Sequence, residues 1–273
     1  MKNSGSNKLN TYIINLQSDI SKKEKITKLL QKTNFDYQFF NAVEANKLNE
    51  NHYKGYKNFF RMLCDGKSLN NKEIAIFNSH IDIIKTIVGQ SIPHALILED
   101  DCFFPKDFEP VLNKIIKINY EWDVIRFIGS KKFSKYTGRK VLKISNNYYL
   151  ERLPKLPGGA HAYLVSLRGA KKILSQSKTF YAPYDIFLGY TWLKNMNVLY
   201  LKPGLAKQLV ESQESNYQDP RFIKPKKSIF SIIFYSRILY KLYESIFKWG
   251  HYLFFMPSDY LRFLKEKKIN FYK

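Results

Sequence analysis

The chain has 273 residues, 45% of them hydrophobic, with 45 Lys and Arg against 23 Asp and Glu and a formal net charge of +22. That apolar content excludes a disordered chain, and the length suits one large domain or one domain with an appended helical segment. The positive surplus draws phosphates, nucleic acid or an anionic membrane face without choosing among them. The many aromatic residues, 20 Tyr and 21 Phe, read either as stacking platforms for sugars or bases or as plain core filling. Cys64 and Cys102 have neither metal-site spacing nor a disulfide framework, so a reducing cytoplasm is expected. The polar start, Met1 to Gly5, is followed by no apolar run, and no secretory signal is expected.

In chain order, residues 11–16 read as a short buried strand. Ser21-Lys22-Lys23-Glu24 reads as a capping box opening an amphipathic helix through about Lys32, and Phe35 to Val43 as a second strand. Strand, helix and strand in that order favour an α/β sheet. Residues 46–68 read as an irregular surface excursion. A strong helix then starts at Asn70-Asn71, carries Ile76, His80, Ile83 and Ile87 on one stripe, and ends at Gly89. Ala95-Leu96-Ile97-Leu98 is a compact apolar strand that stops at Glu99-Asp100-Asp101. Further strands are expected over Trp122–Gly129, Ala160–Ser166 and Val198–Lys202, with helices over Gly169–Ser175 and Asp185–Asn195.

The composition changes after about Pro220, where residues 221–273 are rich in Lys, Arg, Phe, Tyr and Ile and hold only three acids. Arg237, Lys241, Glu244 and Lys248 interrupt the apolar stretch at spacings that place them on one helical face. Those charges argue against a spanning helix. They leave two readings, an amphipathic helix lying on an anionic membrane or a helix packed on the main domain or a second subunit.

Three adjacent carboxylates at a strand end repel one another, and a divalent cation with its preference for hard oxygen ligands offsets that cost. Ligands of open α/β sheets bind at the carboxyl ends of strands. Mg²⁺ or Mn²⁺ can there bridge a nucleotide diphosphate to one or two carboxylates. Asp100 and Asp101 are the candidate metal ligands, and Glu99 is assigned to orienting the nucleotide. Asn15 either contacts the nucleotide through its amide or forms the turn that ends its strand. His80, on an apolar stripe, has the position of a core histidine. Gly159, in the Gly158-Gly159 pair, either lets a ligand approach the backbone or makes an ordinary turn. Gln208 is either a donor contact or an exposed polar residue.

Tyr12-Ile13-Ile14-Asn15-Leu16, Lys72 to His80, Ala95 to Asp101, Gly158 to Ser166 with Gly169-Ala170, Pro183-Tyr184-Asp185, and Pro203, Gln208 and Ser215 occur in an order that resembles glycosyltransferase family 25. The likeness is to its lipooligosaccharide-type galactosyltransferases and spans roughly residues 10–216. Phe77 stands where the family usually has Cys or a small residue, a smaller residue or Thr is usual near Gly159, and Lys22 and Lys23 stand where an Arg is common.

The resemblance implies a GT-A-like nucleotide-sugar-binding domain over residues 1–220, with 221–273 as a basic amphipathic helical segment. It implies an inverting transfer from a UDP-sugar, UDP-galactose by analogy, to a lipooligosaccharide or lipopolysaccharide acceptor, with Mn²⁺ or Mg²⁺ as cofactor. It moves His80 toward the donor site and makes Asp185 the candidate base, beside its plain reading as a helix N-cap. Asp123 and Glu211 are weaker alternatives for that role, each read first as a solvated surface charge. The expected partners are the sugar nucleotide, a lipid-linked oligosaccharide and the anionic inner-membrane surface, at whose cytoplasmic face the protein would work. A nucleic-acid-binding protein and a catalytically inactive membrane-associated relative are the rival readings. No zinc-finger, RNP or basic-zipper pattern supports the first.

Overall fold

A computed structural model describes residues 9–129, 133, 135–154, 157–208 and 232–271. The first strand, β1 (Asn10–Asn15), buries Tyr12, Ile13 and Ile14. Helix α1 (Ile20–Leu30) follows, and its N-cap is Asp19, whose carboxylate accepts from the Lys22 N–H at 3.2 Å. The cap therefore lies two residues ahead of the expected Ser21. Leu30 and Ile26, one turn apart, are the residues this helix buries. Strand β2 (Asp36–Asn41) returns parallel to β1.

The excursion at 46–68 holds two short helices, α2 (Glu50–Tyr53) and α3 (Asn58–Asp65). Helices this short are marginal alone and rely on tertiary contacts, which is why periodicity misses them. For α3 the support comes from far along the chain, where Ser236 Oγ donates to Leu63 O at 3.0 Å.

Helix α4 (Asn71–Gly89) opens on a reciprocal capping box between Asn70 and Glu73. It buries His80, Ile83 and Ile87 as expected, but Ile76 is exposed, because the first turns instead face inward through Ile74 and Phe77. Phe77 stacks on Phe180 at 3.8 Å and meets Phe187 edge-on, so an aromatic cluster takes up the side chain that departs from the family pattern.

Strands β3 (His94–Glu99), β4 (Cys102–Phe103) and helix α5 (Phe108–Ile115) come next. Then follow β5 (Val124–Arg126), the hairpin β6 (Arg139–Lys143) and β7 (Tyr149–Arg152), β8 (Ala162–Ser166) and α6 (Leu167–Gln176). Gly169 in α6 is required by packing, since a Cβ there would run into the Asp123 carbonyl oxygen. The helix expected over 185–195 is two short pieces, α7 (Tyr184–Phe187) and a 3₁₀ turn (Thr191–Lys194). After β9 (Val198–Lys202) and β10 (Lys207–Gln208) come α8 (Ile232–Phe254) and α9 (Met256–Phe271). Glu211, Ser215 and the start of the basic segment lie outside the described residues.

Eight strands form one mixed sheet in the order β2-β1-β3-β8-β5-β9-β7-β6, and β10 pairs with β4 beside it. Strands β1, β2, β3, β5, β6 and β9 run one way, and β7 and β8 the other. Alternate residues feed two cores. Tyr12, Ile97, Tyr163 and Tyr200 join α4 and α6 on one face, while Ile13, Leu96, Leu164 and Leu199 join α1 and α5 on the other. The expected α/β class is the observed one, built on a large central sheet in which most strands run one way.

The C-terminal helices lie against this unit. Asp259 of α9 is fully buried and accepts from Arg139 Nη2 at 2.7 Å and from Arg152 Nε at 2.8 Å. Arg152 also donates to Asn197 Oδ1 at 2.9 Å and stacks over the Phe255 ring.

Candidate functional site

The parallel pairing of β1 with β3 sets Ile14 beside Glu99 and brings Asn15 to the turn where β3 stops. There the Asp100 N–H donates to Ile14 O at 3.1 Å, and Asn15 Nδ2 donates to Asp100 Oδ2 at 2.8 Å. Asn15 also holds Asp19 O at 3.2 Å, so one buried amide ties the strand end, the α1 cap and a carboxylate together. Asn15 thus forms the turn that ends its strand, and its amide nitrogen donates to Asp19 O and to the Asp100 carboxylate. Lys22 Nζ lies 3.1 Å from Asp19 and 3.9 Å from Asp100. Burial disfavours its ammonium, but Asp100, Asp19 and Asp101 outweigh that and raise its pKa. Lys22 thus reaches the acidic cluster from a position where the family often has Arg.

Burial raises the Asp100 pKa, with the neighbouring Asp101 and Asp19 charges adding to it and Asn15 and Lys22 opposing it. Gln208 Nε2 donates to Asp101 Oδ2 at 3.3 Å, across the short pairing of β10 with β4. On the other side of the cluster, Glu99 Oε1 lies 3.5 Å from His80 Nε2. His80 is fully buried, its Nδ1 lies 3.1 Å from the Tyr163 hydroxyl, and its ring stacks on Tyr184 at 4.1 Å. The Tyr163 and Tyr184 hydroxyls are 2.9 Å apart, closing a buried polar chain that ends at Glu99.

Burial pushes the His80 pKa down to about 3, with a weaker opposing pull from Asp185. The neutral ring is therefore the folded form at ordinary pH. The unfolded chain takes up a proton near 6.5 that the folded chain refuses. Stability from this group is thus complete above that pH and is lost as pH falls toward 3. At pH 5 the loss amounts to roughly 2 kcal/mol. Urea unfolding of wild type and His80→Gln should show a shallower fall between pH 6.5 and 5 in the variant. Equal slopes would contradict a buried neutral histidine.

Tyr184 leads into Asp185, which joins the same neighbourhood. Asp185 is not the N-cap of α7, since Pro183 holds that position. One carboxylate oxygen accepts from the Gly159 N–H at 3.0 Å and the other from its own neighbour Ile186 at 2.8 Å. Gly159 has φ +101°, a conformation that favours glycine, and a side chain at Gly158 would collide with Asp185 Oδ2. The glycine pair exists to let this loop close over the carboxylate. The Gly159 carbonyl accepts from Arg126, which is fully buried and also donates to the Tyr200 hydroxyl at 3.1 Å.

All eight candidate residues are thus drawn toward one end of the sheet. Asn15 meets Asp100, Gln208 meets Asp101, His80 meets Glu99, and Gly159 meets Asp185. Sequence reasoning missed Lys22 as a contact of Asp100, and it missed Arg126, Tyr163 and Tyr184. An arginine inside the apolar run Val124-Ile125-Arg126-Phe127 was the available signal for the second. Asp123 is excluded as a base. It is buried at the opposite end of β5, accepting from Arg168 and Lys172 at 2.7 Å each and from the Asn197 N–H at 2.8 Å. The expected solvated charge is a structural ion cluster, because α6 brings both cations to it.

Among the described residues, no group of three or more His, Cys, Asp or Glu is arranged to hold a metal ion. A cation at Asp100 and Asp101 would draw its remaining oxygens from a diphosphate and water, as Mg²⁺ commonly does. The residues fit such an ion: burial and the adjacent charge of Asp101 both penalise the Asp100 carboxylate, which has one neutral donor, Asn15, at 2.8 Å and a cation, Lys22, at 3.9 Å.

Residues 8–188 match the family model described as glycosyltransferase family 25 (LPS biosynthesis protein). The chain belongs to glycosyltransferase family 25. Procollagen galactosyltransferase 1-B of Xenopus laevis is 26% identical over 182 residues, covering 60% of this chain and 28% of that protein. Inactive glycosyltransferase 25 family member 3 of Homo sapiens is 25% identical over 217 residues, covering 73% of this chain and 34% of that protein. The chain spans about a third of the length of these relatives. Among solved structures it is similar to mannose-1-phosphate geranyltransferase from Thermus thermophilus, with TM-score 0.38 and 6% identity over 74% of this chain and 76% of that one. It is also similar to A197 from STIV, with TM-score 0.35 and 13% identity over 74% and 85%. The family holds both galactosyltransferases and members named inactive, so the function of this chain must be argued from its own residues.

Proposed function

We propose that this family 25 member is an inverting, metal-dependent galactosyltransferase that uses UDP-galactose and extends a lipooligosaccharide or lipopolysaccharide acceptor. The observation that carries the reading is the convergence of Asn15, Lys22 and the Glu99-Asp100-Asp101 turn with a second, separate carboxylate, Asp185. One acidic group then serves the diphosphate and the other serves the acceptor. Asp100 and Asp101 would hold Mn²⁺ or Mg²⁺, which supplies charge neutralisation for the departing diphosphate. Asn15 fixes the Asp100 carboxylate, and Gln208 steers Asp101. Glu99, backed by His80, orients the nucleotide. Gly159 presents its backbone beside Asp185.

In the transfer, the acceptor hydroxyl oxygen bonds to the anomeric carbon as the bond from that carbon to the diphosphate breaks. UDP leaves with the electron pair, and the hydroxyl proton passes to Asp185. The place of work is the cytoplasmic face of the inner membrane, where a lipid-linked acceptor is presented.

The division of labour has a direct test with purified protein, a panel of UDP-hexoses and a soluble acceptor oligosaccharide. Turnover should be greatest with UDP-galactose. Asp185→Asn should bind donor as wild type does and lose about 10²–10⁴-fold in kcat. Full activity in that variant would remove Asp185 as the base. A second reading, a member that binds without turnover, is favoured by the inactive human relative. It requires donor binding with no transfer from any UDP-hexose by the wild type.

A further inference from the structure

Helix α8 meets the rest of the protein through the face its charges would ordinarily turn to water. Arg237 lies over Gly66, and the Tyr240 hydroxyl donates to that of Tyr190 at 2.9 Å. Lys248 pairs with Glu244 at 3.0 Å and covers the Trp192 ring, and the His251 ring lies 3.2 Å from Thr191 Oγ1. These positions recur at three or four residues and form one stripe. The opposite stripe is Tyr235, Leu239, Leu242, Ile246, Trp249 and Leu253, each more than half exposed. Phe254, and Leu261 on α9, widen it. An apolar face about 28 Å long on a water-facing helix marks an interaction site.

We propose that this outward face of α8 is a membrane-docking surface that takes the interfacial zone of an anionic bilayer. The charge of its surroundings selects the occupant. Arg237, Lys241, Lys248, Arg262 and Lys265 outnumber Glu244 and Asp259 on these helices as far as Lys265, and residues 221–273 as a whole carry twelve Lys and Arg against three Asp and Glu, a surplus that anionic headgroups complement. A second copy of the chain would bring the same surplus against it. Partner helices in a coiled coil are matched by charges flanking the apolar seam. Here the flanking positions are Ser236, Ile238, Tyr243, Ser245, Gly250 and Tyr252, none of them charged. Exposed Tyr235, Trp249 and Tyr260 are the amphipathic rings that settle at the headgroup level. No helix among the described residues is long and apolar enough to cross a membrane, so the helix would lie in the interface plane. The inference deepens the membrane location proposed above by assigning its surface. Its test uses neither donor nor acceptor, so it stands or falls apart from the transfer chemistry.

The test is co-sedimentation of the full chain with vesicles of phosphatidylcholine plus phosphatidylglycerol, and with phosphatidylcholine alone. Wild type should bind the anionic vesicles preferentially. Leu239→Ser, Ile246→Ser and Leu253→Ser combined keep the net charge and remove exposed apolar groups, and should weaken binding by about tenfold or more. The melting temperature of that variant should match wild type. A measurement without any variant runs beside it, because Trp122 is buried and Trp192 lies under Lys248, leaving Trp249 to report. Its fluorescence should shift to the blue on adding anionic vesicles. Undiminished binding by the triple variant, or no binding and no blue shift by wild type, would overturn the proposal. So would a lipid-free dimer of wild type that the same substitutions dissociate, which would make a second copy the occupant.

Discussion

Asp101→Ala should lower transfer from a UDP-hexose by about 10³-fold while leaving the fold intact. The stability half of that expectation follows from its surroundings. Asp101 accepts a long hydrogen bond from Gln208 at 3.3 Å, a residue on a two-residue strand beside the main sheet. The activity half follows from charge. A cation bound to Asp100 and Asp101 neutralises what gathers on the leaving diphosphate, and an alanine at 101 leaves that task to Asp100, which Lys22 already approaches. Donor affinity should fall together with kcat, in contrast to Asp185→Asn. Steady-state kinetics with donor titration checks both parameters. Activity within about fivefold of wild type would move the metal site away from these residues.

The second large effect lies far from the chemistry. Asp259→Ala should destabilise the protein by about 3–5 kcal/mol. For a chain of this size that lowers the melting temperature by roughly 10 °C. Asp259 has no exposed surface, and two arginines share its carboxylate, Arg152 being itself almost fully buried. Removing the carboxylate leaves a buried guanidinium with Asn197 and Tyr120 as its neutral polar partners. Adding Arg152→Met to Asp259→Ala should recover part of the loss, because the stranded charge goes with it. Calorimetry of the two variants checks this, and a shift under about 2 °C for Asp259→Ala would refute the clasp. The same clasp alters how the basic segment should be probed. Deleting residues 221–273 removes Asp259, so loss of membrane binding after truncation would be mixed with loss of fold. Point changes on the outer face of α8 avoid that.

The acidic turn was legible as the end of a strand, because the apolar run Ala95 to Leu98 stops there on three carboxylates. Strand β9 and helix α4 were legible too, one from a short apolar run and the other from its Asn70 cap and apolar periodicity. The pairings were not. That Asn15 grips Asp100 depends on the register of β1 against β3, residues 85 apart in the chain, and nothing local encodes it. Tyr163 and Tyr184 resemble ordinary core aromatics until His80 is found stacked against them. Asp123 reads as a surface acid because the helix that brings Arg168 and Lys172 to it lies more than forty residues onward. Helix α8 marks the limit of what periodicity can say. It placed Arg237, Lys241, Glu244 and Lys248 on one face but left open whether the helix packs and through which face. The contacts of Lys248 with Glu244 and Trp192 and of Tyr240 with Tyr190 become visible only when the chain is folded.

The most direct measurement of the central claim is UDP release from UDP-galactose by the purified wild-type protein with a soluble acceptor oligosaccharide, in Mn²⁺, in Mg²⁺ and in excess EDTA. The account expects acceptor-dependent release with either ion, stopped by EDTA and restored by adding the metal back. Release that is equally fast in EDTA, or absent for every UDP-hexose under all three conditions, would contradict it.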